Sequence, residues 1–526
     1  MTEDVLLIGV DGGDYRTLEP MLEAGELPNI EGLIDRGFRG TLSSSVPPWT
    51  PTAWTDLTTG KNPGKHGIFD FKNPESDQLV DSGDVRTNAL WDCLSAAGEP
   101  SITVNVPVTH PAPTVNGVLI PGYLGPEADE TVAHPDGIIE ELHNAIGEYR
   151  IYKSDDAITD TELCEEYLRL LEMRKDAMIY LCNEYDWSFG MVQFQRTDTV
   201  FHEIPEKQYV RRIYRKLDEC IGQLLTETSA TNVLLASDHG MGETGDWDFR
   251  INSWLLKNGY LETSTDGYES GWQAPTSAAE QDSSDNQPER TISLATATRY
   301  ASDVGLTPRR IEGVVQRLGL DGVVRSVLPE DWIQTALQEG GEGIDIENSA
   351  AYCPSGPGLG IRCENDLKEE LIEELADLRD PDSEQVFEWV RSADEVYNGP
   401  ELESAPDILA LPREMNYFVS ATITAGTFPE SRYRFNHKTD GILIGAGSDV
   451  LHSDDDLEAS ITDVAPTVLA LNDVPLDVEF DGTVLNSILD SVDSPATQTY
   501  SSAERQGSDA SIDDVESRLE DLGYME

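Results

Sequence analysis

Two short runs of unbroken apolar residues, each closed by an aspartate and glycine, constrain the fold of this chain most. Val5-Leu-Leu-Ile-Gly-Val10 runs into Asp11-Gly12-Gly13, and Val233-Leu-Leu-Ala236 runs into Ser237-Asp238-His239-Gly240. A strand apolar at nearly every position has to be buried on both faces, which is the pattern of a parallel sheet covered by helices. The glycines turn the chain directly after each strand. Asp11, Asp238 and His239 are therefore presented at the carboxyl ends of core strands, where open α/β sheets bind ligands.

The rest of the patterning agrees with such a sheet. Short strands are expected at Ser101–Val106, Gly117–Pro121, Trp187–Gln193, Val386–Val390, Asp407–Leu411 and Gly441–Gly445. Helices are expected from the first turn to about Arg36, and over Asp160–Glu184, Glu206–Thr228 and Ile461–Leu471. The alternation predicts an α/β chain, a three-layer sandwich with a mostly parallel central sheet and helices on both faces. Residues 264–290 turn rich in Ser, Thr, Gly, Gln and Asp. They open an inserted cap subdomain expected over 264–345, leaving the core to 1–263 and 346–490. Residues 491–526 read as an acidic, Ser/Asp-rich tail with a short amphipathic helix at Val515–Leu522.

The chain has 99 acidic against 36 basic residues, a net charge of −63, and only ten lysines. The acidic residues are spread along the whole length. This suits a surface kept soluble in high salt, where screening suppresses self-repulsion, and resembles haloarchaeal cytosolic proteins. It argues against nucleic-acid backbones and anionic membranes as partners. Cys93, Cys164, Cys182, Cys220, Cys353 and Cys363 are scattered without a C-x-x-C pair, as in a reducing compartment. No secretory leader pattern precedes Val5 and no apolar run reaches the length of a membrane span, so a cytoplasmic protein is expected.

Other segments offer polar groups that suit a metal site. Thr50-Pro51 reads as a helix start, with Thr50 at N-cap and Pro51 at N1. The hydroxyl is either an ordinary cap or, beside a divalent cation, a nucleophile. Asp198 and His202 are four apart, on one face of a helical turn. His437 is expected in the loop before the strand Gly441–Gly445. His66, His110, His134, His143 and His452 read as surface residues, and Trp49, Trp54 and Tyr123 as pocket or core aromatics.

The ordered set Asp11, Thr50, Asp198, His202, Asp238, His239 and His437 resembles the alkaline phosphatase superfamily, and most closely its type I phosphodiesterases and nucleotide pyrophosphatases. Ile8-Gly-Val-Asp-Gly12, Pro48-Trp-Thr-Pro51, Thr59-Gly-Lys-Asn-Pro-Gly-Lys-His-Gly-Ile68, Ser237-Asp-His-Gly-Met241 and Asp463-Val-Ala-Pro-Thr467 carry the likeness. The resemblance implies two divalent cations, zinc with manganese or iron as alternatives. It assigns Asp11, Thr50, Asp238 and His239 to one, and Asp198, His202 and His437 to the other. It implies hydrolysis of a small-molecule phosphodiester or pyrophosphate through a phosphothreonine at Thr50. A phosphomonoesterase or phosphomutase-like phosphotransferase on the same site, or a non-catalytic relative that binds phosphorylated ligands, are the alternatives. The family's asparagine three residues after the nucleophile is Ala53 here, which loosens any transfer of nucleotide specificity.

Overall fold

The computed structural model describes residues 4–264 and 343–501, apart from residues 75, 77, 129–131, 155–158, 355, 425 and 491–495, together with residues 505 and 507. The chain divides into two compact units, Met1–Leu261 with Ala350–Glu526, and Glu262–Ser349. Of the second unit, Thr263–Ser264 pairs antiparallel with Gly343–Ile344. Residues 265–342 of the expected cap lie outside the described residues, as do the expected helix Val515–Leu522 and most of the tail.

The first unit is built on an eight-stranded sheet. Its strands are β1 (Val5–Val10), β2 (Phe38–Ser43), β3 (Ser101–Val106), β4 (Gly117–Pro121), β5 (Phe189–Phe194), β6 (Asn232–Ala236), β7 (Asp440–Gly447) and β8 (Leu457–Ser460). The order is β8-β2-β7-β6-β1-β5-β3-β4. β7 runs antiparallel to both its neighbours, and every other pairing is parallel. β1 lies between β5 and β6, with Val5 opposite both Phe189 and Asn232.

All six residues of β1 are buried. Leu6, Ile8 and Val10 pack on one face with Leu170, Leu171 and Met178 from the helix Asp160–Glu184 and with Ile213 and Leu217 from the helix Lys207–Glu227. Val5 and Leu7 pack on the other with Leu57 from the helix Thr50–Thr59 and Val468 and Leu469 from the helix Val464–Leu471. The period-two alternation of the strand thus feeds two helical layers, giving the expected three-layer sandwich. The first expected helix is two, Tyr15–Leu22 and Pro28–Arg36, because Pro28 can start a helix but would break one running through it. The late helix is a 3-10 turn, Ile461–Asp463, leading into Val464–Leu471. A separate four-stranded sheet joins Ala351–Tyr352, Gly360–Cys363, Ile408–Pro412 and Phe387–Ser392 in that order. Among the described residues no helix is long and apolar enough to cross a membrane.

Candidate active site

The carboxyl ends of β1, β5 and β6 converge because the three strands are parallel neighbours. β1 delivers Asp11 and β6 delivers Asp238 and His239. Asp198 and His202 lie on the helix Arg196–Glu203 that follows β5, one turn apart. Gly12 has a φ of +63°, which points its N–H at Asp238 Oδ1, 3.2 Å away. Ser44 Oγ donates to the Asp238 carbonyl at 2.5 Å.

His437 is not in a loop, as expected, but in a short strand, Phe435–Lys438. This strand pairs antiparallel with Gly240–Glu243, the stretch leaving His239. The ribbon stacks the two imidazoles at 3.7 Å between ring centroids. Asp198 Oδ1 lies 3.2 Å from His202 Nε2 and 3.5 Å from His437 Nε2. His239 Nε2 is 3.3 Å from Asp238 Oδ2 and 3.7 Å from Asp11 Oδ1. Asp11, Asp238 and His239 offer ligand atoms all within 4.8 Å of one another, and so do Asp198, His239 and His437. His202 stands beside the second group, bonded to Asp198.

Thr50 differs from its expected place by one residue. The helix Thr50–Thr59 begins at Thr50, preceded by Trp49, and no side chain caps this end. Thr50 Oγ1 is fully buried and has no hydrogen-bond partner among the described residues. Two contacts bracket it. Pro48, two residues before, accepts a bond from His437 Nδ1 at 2.8 Å. Trp54, one helical turn after, donates Nε1–H to Asp11 Oδ2 at 3.0 Å. Asp11, Asp198, His202, Asp238, His239 and His437 thus gather in one centre, and the Thr50 helix is tied to it through Pro48 and Trp54.

The donor set fits divalent cations. Asp11 Oδ1, Thr50 Oγ1, Asp238 Oδ2 and His239 Nε2 are all buried without a hydrogen-bond partner among the described residues, a costly arrangement unless something else satisfies them. The Nδ1 atoms of His239 and His437 face the carbonyls of Gly240 and Pro48. A carbonyl only accepts, so each Nδ1 carries a proton, and on the neutral His239 that leaves Nε2 as the lone-pair atom facing the carboxylates. Burial, followed by the charges of Asp238 and Asp198, pushes the Asp11 carboxyl well above the usual range, and burial with Asp198 does the same to Asp238. Burial acts on Asp198 too, but His202 and then His437 overcome it and hold that carboxyl well below the usual range. Burial, then His437, keeps the His239 imidazole neutral. Mixed oxygen and imidazole donors of this kind suit zinc and other first-row divalent metals.

Other expectations change. His66 is not a surface residue: it is fully buried, 2.5 Å from Asp56 on the Thr50 helix, and its Nδ1 accepts from Ile68 N. Ser45 Oγ donates to the other oxygen of Asp56 at 2.7 Å, so this pair braces the segment leading to Thr50. Trp49, Trp54 and Tyr123 are all buried. Trp49 packs edge-on against His437 and, with Pro47, Phe69, Leu409 and Arg362, lines a small cleft of about 60 Å³. Sequence reasoning does not single out Gln193, although a lone amide in an otherwise apolar strand is a signal: its Nε2 donates to Asp11 Oδ2 at 2.6 Å.

No curated protein matches the sequence. Among solved structures, phosphonoacetate hydrolase from Sinorhizobium meliloti 1021 in complex with phosphonoformate is similar with a TM-score of 0.54 and 13% identity, over 90% of this chain and 96% of that one. The same enzyme with phosphonoacetate gives 0.51 and 12% over the same shares. Human ectonucleotide pyrophosphatase / phosphodiesterase 5 gives 0.48 and 12%, over 93% of this chain and 100% of that one. The likeness to the hydrolase, at such low identity, shows the fold alone. The sequence pattern of one family, by contrast, matches residues 5–442 of the 526-residue chain. On that match the chain belongs to the type I phosphodiesterase / nucleotide pyrophosphatase family.

Proposed function

We propose that this protein hydrolyses phosphate esters, phosphodiesters or pyrophosphates first, by two displacements at phosphorus through Thr50. The observation that carries the reading is the set of four buried atoms without hydrogen-bond partners, a threonine hydroxyl among them, beside two overlapping groups of ligand atoms. Asp11, Thr50, Asp238 and His239 would hold one divalent cation, and Asp198, His202 and His437 the other. Such ions, when bound, supply Lewis acidity toward phosphoryl oxygens and lower the pKa of hydroxyl groups beside them.

The chain's own groups account for the rest. Thr50 Oγ attacks phosphorus, the ester oxygen leaves with the bonding pair, and a phosphothreonine remains. Water then attacks the same phosphorus in line, regenerating the Thr50 hydroxyl and releasing a phosphate monoester or phosphate. The amino end of the Thr50–Thr59 helix favours the negative phosphoryl group. The small cleft beside Trp49 and Arg362 lies where the organic part of the substrate would extend from the centre. The net charge of −63 supports a high-salt setting.

The test is a high-salt assay of the purified protein on a matched aryl diester and aryl monoester, with metal analysis of the same sample. Faster diester turnover supports the reading, and faster monoester turnover replaces it with a phosphomonoesterase on the same site. No bound metal and no product from either ester would leave a phospho-ligand-binding protein.

A further inference from the structure

The two carboxylate oxygens of Asp11 have different surroundings. Oδ2 accepts from Trp54 Nε1 at 3.0 Å and from Gln193 Nε2 at 2.6 Å. Oδ1 has no hydrogen-bond partner among the described residues and faces His239 Nε2 at 3.7 Å. Trp54, Gln193 and Asp11 are each fully buried, so no solvent competes for these bonds.

The donors are themselves held. Asn105 Nδ2 donates to Gln193 Oε1 at 2.7 Å and to the Gln193 carbonyl at 3.0 Å. With its carbonyl end occupied by a donor, the Gln193 amide has to present N–H to Asp11. Asn105 adopts a φ of +65°, an uncommon conformation that asparagine tolerates better than most residues. Gly9 makes room for both donors. A Cβ there would lie 2.4 Å from Trp54 Cη2 and 3.4 Å from Gln193 Cγ. The glycine two residues before Asp11 is therefore needed for the indole to cross β1 at the height where its N–H reaches the carboxylate.

We infer that Trp54 and Gln193 are positioning residues that clamp Asp11 Oδ2, turning Oδ1 alone toward the centre and tying the helix of Thr50 to that carboxylate. The inference rests on Asp11 being a metal ligand. A free carboxylate turns easily about its last torsion and can offer one oxygen or both, whereas one saturated on one side offers only the other. Trp54 follows Thr50 by one helical turn, so the bond that orients Asp11 also sets the distance between Asp11 and the start of the helix.

The experiment uses the full chain in high salt, stripped of metal and titrated with Co²⁺. Visible absorption and chelator competition are read without substrate. Trp54→Phe removes the indole N–H and keeps most of the ring, and Gln193→Met removes the amide at similar length. Trp91→Phe is the control, because Trp91 is a buried indole on the same side of the sheet whose N–H has no hydrogen-bond partner among the described residues. Each test variant is expected to weaken one of the two Co²⁺ affinities by about 10–100-fold and change that site's spectrum, leaving the other unchanged. Trp91→Phe should match the wild type. If the wild type binds two ions and both test variants keep both affinities and spectra, the clamp is wrong and the proposed function stands. If the wild type binds none, the metal reading falls and the clamp with it. Should one variant fail to fold, by circular dichroism, the other decides.

Discussion

Thr50→Ala separates catalysis from stability because of what Thr50 Oγ1 lacks. The hydroxyl is buried with no hydrogen-bond partner among the described residues, so its removal relieves a desolvation cost of about 1–3 kcal/mol in the metal-free protein. Against that, the deleted methyl forfeits about 1 kcal/mol of burial and leaves a small cavity. Alanine also regains about 0.5 kcal/mol of helix propensity. The net change lies within roughly 1–2 kcal/mol of zero, a shift of a few degrees at most in melting temperature for a chain of this size. Turnover has no such compensation. Loss of a covalent nucleophile costs on the order of 10³–10⁶-fold in kcat. Asp11, Asp238 and His239 remain as candidate ligands, so on the proposed reading metal content should stay close to wild type. Calorimetry of the stripped protein, metal analysis and turnover of an aryl phosphodiester check all three, with Thr50→Ser as the variant that keeps an attacking oxygen. Turnover within about tenfold of wild type, at normal metal content, would falsify the nucleophile assignment. A fall in melting temperature beyond about 10 °C would show instead that the hydroxyl is a structural donor.

Lys61 is 1% exposed and donates to Asp477 at 2.8 Å and to Thr87 at 2.5 Å. Lys61→Met should cost about 3–5 kcal/mol in denaturant unfolding by stranding a buried carboxylate, and adding Asp477→Leu should recover much of it. Burial opposes ionisation of Glu166, but Arg150 at 2.6 Å, Ser154 N and Arg169 more than offset it and hold the carboxyl below its usual range. A depressed folded pKa adds stability above the unfolded value and loses it as pH falls through the folded one, so Glu166→Gln should flatten that part of the acid limb of melting temperature against pH. With a net charge of −63, melting temperature should rise as salt shortens the screening length from about 10 Å at 0.1 M to about 3 Å at 1 M, and a flat curve would remove self-repulsion from the account.

The parts of the centre that one strand or one helix determines are legible in sequence. Asp11 and Asp238 end apolar runs, and Asp198 and His202 share a helical face. Parallel strands with short turns carry these groups to the same edge of the sheet. His437 is different, because its place depends on a ribbon whose register, His437 opposite Met241, joins segments nearly two hundred residues apart. A four-residue stretch with one buried histidine carries too little period to announce itself as a strand. Thr50-Pro51 does match a cap signal, and the structure denies it: the signal reports that a helix starts there, not what the hydroxyl bonds to.

The bonds to Asp11 Oδ2 are further still from the sequence, yet the chain does mark their positions through residues that otherwise cost stability. An amide in an all-buried strand, a glycine in the middle of another and an asparagine in the left-handed region each weaken local structure taken alone. Together they are mutually required. Gly9 admits Trp54, Trp54 and Gln193 hold Asp11, and Asn105 fixes Gln193. Local exceptions to good strand composition that converge on one carboxylate oxygen are what a functional demand on Asp11 would leave. By the same logic Gly9→Ala, which touches no candidate ligand, should disturb metal binding by moving the Trp54 indole. A variant with wild-type Co²⁺ spectra would mean that the indole yields without carrying Asp11 with it.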